Sequence, residues 1–249
     1  MNIGYKKLQN DYIAELEILG KTNENRDDIA DPQYAKYRTS KVKVLKIFKN
    51  GKRGIKIIKQ MNGLHDVNFV YTTGEEMHVS NYDEDVNEVC SQGIHYFKTP
   101  FQAKMWNLSL DNYTGKYMEW YDNGTTQCEE EYKDGKREGK YIDWYEDGTT
   151  RYEGEFKDGK RKGKWTGWYE NGNKWYEGEY KDGKEEGKWI GWWENGNKKE
   201  EGEYKDGKRK GKWIWWGEDG NKIYEKNEKE ENRIEWWYEG YACNVQRKL

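Results

Sequence analysis

The sequence predicts a mainly β protein: an elongated, single-layer antiparallel meander of tandem 24-residue hairpin repeats, preceded by a small N-terminal β-rich α+β module. Three observations predict it. Gly-Lys-aromatic recurs at Gly115, Gly139, Gly163, Gly187 and Gly211, always 24 residues apart. A turn glycine follows nine residues later each time, at Gly124, Gly148, Gly172, Gly196 and Gly220. A second Asp-Gly pair falls at Asp134-Gly135, Asp158-Gly159, Asp182-Gly183 and Asp206-Gly207. Turn signals this frequent leave no room for helices.

Composition agrees with a thin structure. The chain has 249 residues and 37% of them are charged, while 14 Trp and 21 Tyr supply most of the apolar surface. A mean hydropathy of −1.38 alone leans towards disorder, and the aromatic content opposes it. Rings packed along a sheet fit these values better than a thick two-sided core.

Each repeat reads as two strands and two turns. Asp147-Gly148 and Asp158-Gly159 lie between aromatic-rich runs, and Asn-Gly takes the first turn at Asn123-Gly124, Asn171-Gly172 and Asn195-Gly196. With two-residue loops at both turns, Tyr152 falls opposite Asp143 and Trp165. Gly154 falls opposite Tyr141 and Gly163, and Trp144 opposite Arg151. A longer second loop would move these pairings by a residue. Repeated five times, the unit makes about ten strands and a sheet on the order of 50 Å long. The charge-dense run from Lys226 to Arg233, followed by Trp236, Trp237 and Gly240, reads as a terminal cap over an exposed edge.

The N-terminal residues lack the repeat. Tyr12–Leu19, Ser40–Phe48, Val67–Thr72 and Glu75–Val79 alternate like strands, and Thr22–Asp31 reads as a polar loop. Pro100–Trp106 reads as one short helix with Thr99 as its N-cap. The expected organisation is an N-terminal module over 1–106, a repeat array over 107–240 and a tail over 241–249.

Tyr152-x-Gly154-x-Phe156-x-x-Gly159-x-x-x-Gly163, recurring as Tyr176-x-Gly178-x-Tyr180-x-x-Gly183-x-x-x-Gly187, resembles the MORN repeat (membrane occupation and recognition nexus). Trp165 and Trp189 stand where the usual consensus ends in glycine, so the array looks like the variant class found in many bacterial and giant-virus proteins. The resemblance implies a twisted, groove-like single sheet. YRTSKVKVLKI, Tyr82-Asp83-x-Asp85 and Cys90-x-x-Gly93-Ile94-His95-x-Phe97 are similar to an uncharacterised module that accompanies such repeats in large DNA viruses of amoebae.

Two surfaces of the array are candidate sites. Trp120, Trp144, Trp168, Trp192 and Trp216 form one row; Tyr117, Tyr141, Trp165, Trp189 and Trp213 form another. One row is expected to be a packing spine and the other an exposed stripe for a partner. The binding residues expected are Trp144, Trp165, Trp168, Trp189 and Trp192. One edge of the sheet carries the acidic turns. The other carries two basic clusters, Lys160, Arg161, Lys162 and Lys164, then Lys208, Arg209, Lys210 and Lys212, interrupted by Glu185 and Glu186. They read either as solvated turns or as an anionic-lipid edge.

Catalytic signals are sparse. Cys90 and His95 allow a nucleophile–base pair, and with His78 and Asp83 or Asp85 a metal set, against the plainer reading of a half-buried Cys and a structural His. Phosphate loops, dinucleotide motifs and serine elbows are missing, so neither a cofactor nor an enzymatic activity is expected. A net charge of −3 gives no pull towards nucleic acid. Three scattered cysteines and the lack of an apolar leader or span lead us to expect an intracellular protein, cytoplasmic in its own cell, in a host cell or in a virion. The function expected is therefore a non-enzymatic interaction or scaffold protein, holding a protein partner or a second copy of itself. Phosphoinositide attachment, an enzyme within 1–106 and an antitoxin-like immunity role are the alternatives.

Overall fold

The computed structural model describes residues 1–51, 54–66 and 68–228. Its architecture is mainly β, with a ten-stranded antiparallel meander over the repeats and a β-rich N-terminal part. The chain divides into two compact units, the first comprising Met1–Ser109 with Met118–Thr126, the second Leu110–Tyr117 with the chain from Gln127 on.

The first unit is built on a seven-stranded sheet. Its strands are β1 (Ile3–Lys7), β2 (Ile13–Ile18), β3 (Lys36–Thr39), β4 (Lys41–Gly51), β5 (Gly54–Ile58), β8 (Glu76–His78) and β9 (Ile94–Phe97). The order is β3-β9-β1-β2-β4-β5, with β8 also on β4; β6 (Gln60–Asn62) and β7 (Val70–Thr72) make a separate ribbon. Alternation sets the two faces. Ala14 and Leu16 of β2 enter a core with Val42, Val44, Ile94 and Tyr96, while Ile13 packs on the other face with Phe48, Phe97 and Ala103. Ala103 belongs to helix α1 (Pro100–Met105), where Thr99 caps the first turn by accepting from Gln102 N at 3.1 Å. The segment read as a polar loop is tied down from within. The Arg26 side chain is fully buried, and its two terminal nitrogens donate to Lys36 O at 2.8 Å and Asp122 O at 2.7 Å.

The meander runs β10 (Gly115–Trp120), β11 (Thr126–Lys133), β12 (Lys136–Trp144), β13 (Thr150–Lys157), β14 (Lys160–Trp168), β15 (Lys174–Lys181), β16 (Lys184–Trp192), β17 (Lys198–Lys205), β18 (Lys208–Trp216) and β19 (Lys222–Glu228). Its two turns obey different chemistry. At Asp158-Gly159 both residues have positive φ, 50° and 80°, and Lys157 pairs directly with Lys160, so this is a two-residue hairpin. At Asp147-Gly148 only the glycine is left-handed. Tyr145 N donates to Thr149 O at 2.8 Å and Gly148 N to Tyr145 O at 3.0 Å, which makes a wider loop. The expectation of two-residue loops at both turns therefore fails at the first.

Register changes accordingly. Tyr152 pairs with Asp143 and Gly154 with Tyr141, as expected, but Trp144 pairs with Thr150 rather than Arg151. Across the second turn Glu153 pairs with Thr166 and Glu155 with Lys162, and Tyr152 faces Gly167 rather than Trp165. Three residues, Gly163–Trp165, thus span the place of the single Gly154, a bulge that recurs in the following repeats. Neighbouring repeats are stitched at both edges. Gly159 N donates to Arg137 O at 2.9 Å and Gly183 N to Arg161 O at 3.0 Å. On the opposite edge the Asn171 and Asn173 amides both donate to Glu194 O, at 2.9 and 2.8 Å. The cap expected around Trp236, Trp237 and Gly240, the tail over 241–249 and Cys243 lie outside the described residues.

Candidate functional site

The bulge creates the aromatic face of the array. It lowers each Trp onto a glycine of the preceding strand: a Cβ on Gly154 would sit 2.3 Å from the Trp165 ring, and one on Gly202 would sit 2.3 Å from Trp213. Each indole nitrogen then donates to a backbone carbonyl, Trp165 to Glu155 O at 3.2 Å, Trp189 to Glu179 O at 3.3 Å and Trp213 to Glu203 O at 3.1 Å. Phe156, Tyr180 and Tyr204 meet these indoles edge-on at 5.0–5.3 Å. The row Tyr117, Tyr141, Trp165, Trp189, Trp213 is therefore the packing spine.

A guanidinium closes most of this row. Arg161 lies 4.4 Å from the Trp165 centroid and Arg209 4.3 Å from that of Trp213. Arg137 sits 5.2 Å over Phe156 and 5.9 Å over Tyr141. Such ring–cation contacts are worth about 0.5–2 kcal/mol as they desolvate. These arginines hold one structural position, paired with Tyr132, Phe156 and Tyr204 in turn; paired with Tyr180 at the same position stands Glu185. Trp189 consequently has no cation over its ring among the described residues, and it keeps 8% of its surface accessible against 1% for Trp165 and Trp213.

A recess of about 90 Å³ opens at this point, with Trp175, Tyr176, Glu185, Trp189 and Glu200 among its walls. Gly191 also lines it. The equivalent strand position holds Asp143 in one repeat and Trp215 in another, and at Gly167 the Tyr176 ring fills the space, 2.5 Å from a built Cβ. At Gly191 a Cβ would meet first the side chain of Glu200, at 3.2 Å. Glu200 accepts from Arg209 Nη2 at 2.8 Å and Trp215 Nε1 at 3.1 Å, both through Oε2. Glu185 forms no ion pair among the described residues.

The other face carries Trp144, Trp168, Trp192 and Trp216, all half-buried. The exposed stripe expected of one row is not present among the described residues; the large apolar side chains exposed in the described part of the repeats are Ile223 and Tyr224 of β19. Lysine pairs explain the cover. Lys174 reaches Glu177 at 2.6 Å with its ammonium 5.6 Å over Trp192, and Lys198 binds Glu201 with its ammonium 5.0 Å over Trp216.

The basic clusters do not stay together. Arg161 and Arg209 turn onto the aromatic face. Lys164 pairs with Glu177 at 3.1 Å and Lys212 with Glu225 at 2.8 Å. Lys160, Lys162, Lys208 and Lys210 remain exposed on the strands after the Asp-Gly turns.

Four stretches of the chain, residues 113–134, 137–158, 161–182 and 185–206, match the family described as MORN repeat variant. These four units of the array are similar to MORN repeat variants. Residues 1–103 match a family of unknown function (DUF5758). No curated protein matches the chain. MORN repeats are generally protein- or membrane-binding modules and typically non-catalytic. Among the described residues no helix is long and apolar enough to cross a membrane. Arg137, Arg161 and Arg209 each lie two residues after the glycine of an Asp-Gly turn, and Glu185 stands at the same place after Gly183, a difference visible in the sequence.

In the first unit His78, Cys90 and His95 line one cavity. Among the described residues no three His, Cys, Asp or Glu side chains gather as a metal set. Asp83 and Asp85 are used in turns, accepting from Asp85 N and Asn87 N, each at 3.0 Å. His95 does not engage Cys90: its Nε2 donates to Val89 O at 2.9 Å, and Cys90 Sγ lies 3.2 Å from Lys36 Nζ. Burial first, then the ammonium groups of Lys6 and Lys36, push His95 down to about 4. Folding therefore favours the neutral ring. The stability it contributes is complete above the unfolded value near 6.5 and is lost as pH falls towards 4. Between pH 7.5 and 5 the loss should reach about 2 kcal/mol. His95→Gln, which keeps a donor for Val89 O, should flatten this limb in urea titrations followed across the same range.

Proposed function

We propose that the array is a non-enzymatic protein-binding surface, and that it captures a partner by seating an arginine side chain on Trp189. The observation that carries this reading is the missing lid. Arginines in three sister positions close the neighbouring rings from within the chain, and the fourth position holds a carboxylate instead. A guanidinium brought by a partner would restore the contact and meet Glu185, with Tyr204 edge-on to Trp189 at 5.5 Å. Of the five indoles named from sequence, Trp189 is the one on this side with no cation over its ring among the described residues; Trp165 is capped, and Trp144, Trp168 and Trp192 belong to the opposite face. Arginine and aromatic anchors commonly dominate such interfaces.

The probe is N-acetyl-arginine amide, titrated into the full chain while the Trp189 indole resonance is followed by NMR. Arginine amide should move that resonance, and N-acetyl-glutamine amide should not. Glu185→Arg should abolish the response by supplying the lid in cis, and Glu185→Gln should weaken it about fivefold, in line with loss of one charge-assisted contact. A Trp189 signal unmoved by arginine amide, or moved equally in Glu185→Arg, would overturn the reading.

A further inference from the structure

The first unit contains a larger feature that the array does not need. A cavity of about 590 Å³ opens beside strands β1, β3 and β9. Its size lies within the roughly 300–1,000 Å³ typical of small-molecule sites. Lys6, Lys7 and Lys36 line it, against a single carboxylate, that of Asp66, among the described residues.

The three ammonium groups are not alike. Lys7 is satisfied by Asp11 at 2.9 Å and Lys104 O at 3.1 Å. Lys36 stands 3.9 Å from Asp122, 3.2 Å from Cys90 Sγ and 4.7 Å over the Trp106 ring. Lys6 donates to His95 O at 3.1 Å and has no carboxylate partner among the described residues. Burial, reinforced by repulsion from Lys36, pushes Lys6 down to about 8. Two cations thus converge on one space with too little negative charge between them, a costly arrangement unless something compensates it. His95 is neutral and adds no charge. Phe69, Tyr71, Phe97 and Trp106 supply an aromatic part of the wall, beside polar residues that include His78, Ser80, Asn81 and Gln92.

We propose that this cavity binds a small organic anion, a phosphate or carboxylate on an apolar body, with Lys6 and Lys36 holding the anionic group and the aromatic wall holding the body. The anion would restore charge balance at Lys6, and the rings would bury the remainder. Both cations come from strands that flank β9, so the cationic end of the site is fixed by the sheet itself.

Isothermal titration calorimetry of the full chain tests this with four probes: phenyl phosphate, benzoate, inorganic phosphate and benzyl alcohol. At least one of the two aromatic anions should bind about tenfold more tightly than either inorganic phosphate or benzyl alcohol, a difference of about 1.4 kcal/mol. Lys6→Met and Lys36→Met should each weaken that aromatic anion about tenfold or more. Lys36→Gln serves if either Met variant melts early, and Lys116→Met, on the repeat array, should bind normally. The probe should also raise the Lys6 titration midpoint followed by NMR, a shift that a merely structural lysine would not show. Absence of heat with both aromatic anions, equal binding of benzyl alcohol, or unchanged affinity in the lysine variants would overturn the proposal. None of these outcomes bears on Trp189, so the two readings stand or fall separately.

Discussion

Gly178→Val should lower the unfolding free energy by about 3–5 kcal/mol, the range seen when a buried aromatic loses its packing. The cause is steric rather than conformational. Gly178 is not among the residues with positive φ, so its backbone accepts any side chain. What forbids one is Trp189, whose ring lies 2.2 Å from the position a Cβ would take. The ring cannot slide away cheaply. Tyr176 stacks on it at 5.5 Å with a 6° interplanar angle, and Tyr180 and Tyr204 close it edge-on. Either the indole leaves the face or the strands separate, and both give up the contacts that stand in for a conventional core. Gly172→Ala makes the contrast. Its φ is 84° with nothing within 4 Å, so its cost is backbone strain alone, about 1 kcal/mol. Urea unfolding of both variants against the wild type measures the difference. A Gly178→Val midpoint no lower than that of Gly172→Ala would mean that the indole does not rest on the glycine.

The same geometry shows what a sequence reveals and what it hides. The 24-residue period and the hairpins follow from glycine spacing, because a turn needing positive φ is visible in the residues that tolerate it; that one ring row packs follows from the aromatic pattern, but which row does not. The bulge at Gly163–Trp165 is not visible that way. Gly163 looks like one more turn glycine, and only the pairing of Glu153 with Thr166 shows three residues over Gly154. That slip sets Trp165 on Gly154, while the two-residue turn before it pairs Arg161 with Phe156. Read as neighbours in sequence, Lys160, Arg161 and Lys162 form a basic edge; on a pleated strand they alternate, and the guanidinium leaves the lysines for the rings. Cavities are harder still. Lys6 and Lys36 are thirty positions apart in unremarked strands, and they meet because β9, far along the chain, inserts between β1 and β3. Non-local strand order of this kind leaves no local periodicity to read, whereas a meander pairs only sequence neighbours.

Arg38→Met should cost about 3–5 kcal/mol and release the segment from Tyr82 to Gln92. Arg38 is fully buried, yet its partners are backbone carbonyls rather than a carboxylate. Nε donates to Glu88 O at 2.6 Å, the terminal nitrogens donate to Asp83 O and Asp85 O, and Nη1 also reaches Gln92 O at 3.4 Å. The Tyr82 ring lies 4.8 Å from the guanidinium. A planar five-donor group can satisfy several carbonyls of one irregular segment, which no sheet ladder does. Methionine fills much of the volume and removes the buried charge, which taken alone could stabilise. The carbonyls decide the sign. Four acceptors would lose their donor, each costing about 1–3 kcal/mol if it stayed dry, so the segment should swing out to water instead. Hydrogen exchange should then accelerate at the amides of Asp85 and Asn87, which are held in turns within that segment. The amides of β2, on the far side of β1, should keep their protection. Because Cys90 and Gln92 form part of the cavity wall, the same variant should weaken binding of the organic anion while leaving the arginine response at Trp189 intact. Uniform acceleration across the whole first unit would instead make Arg38 a linchpin of the sheet, and a variant as stable as the wild type would mean that water already serves those carbonyls.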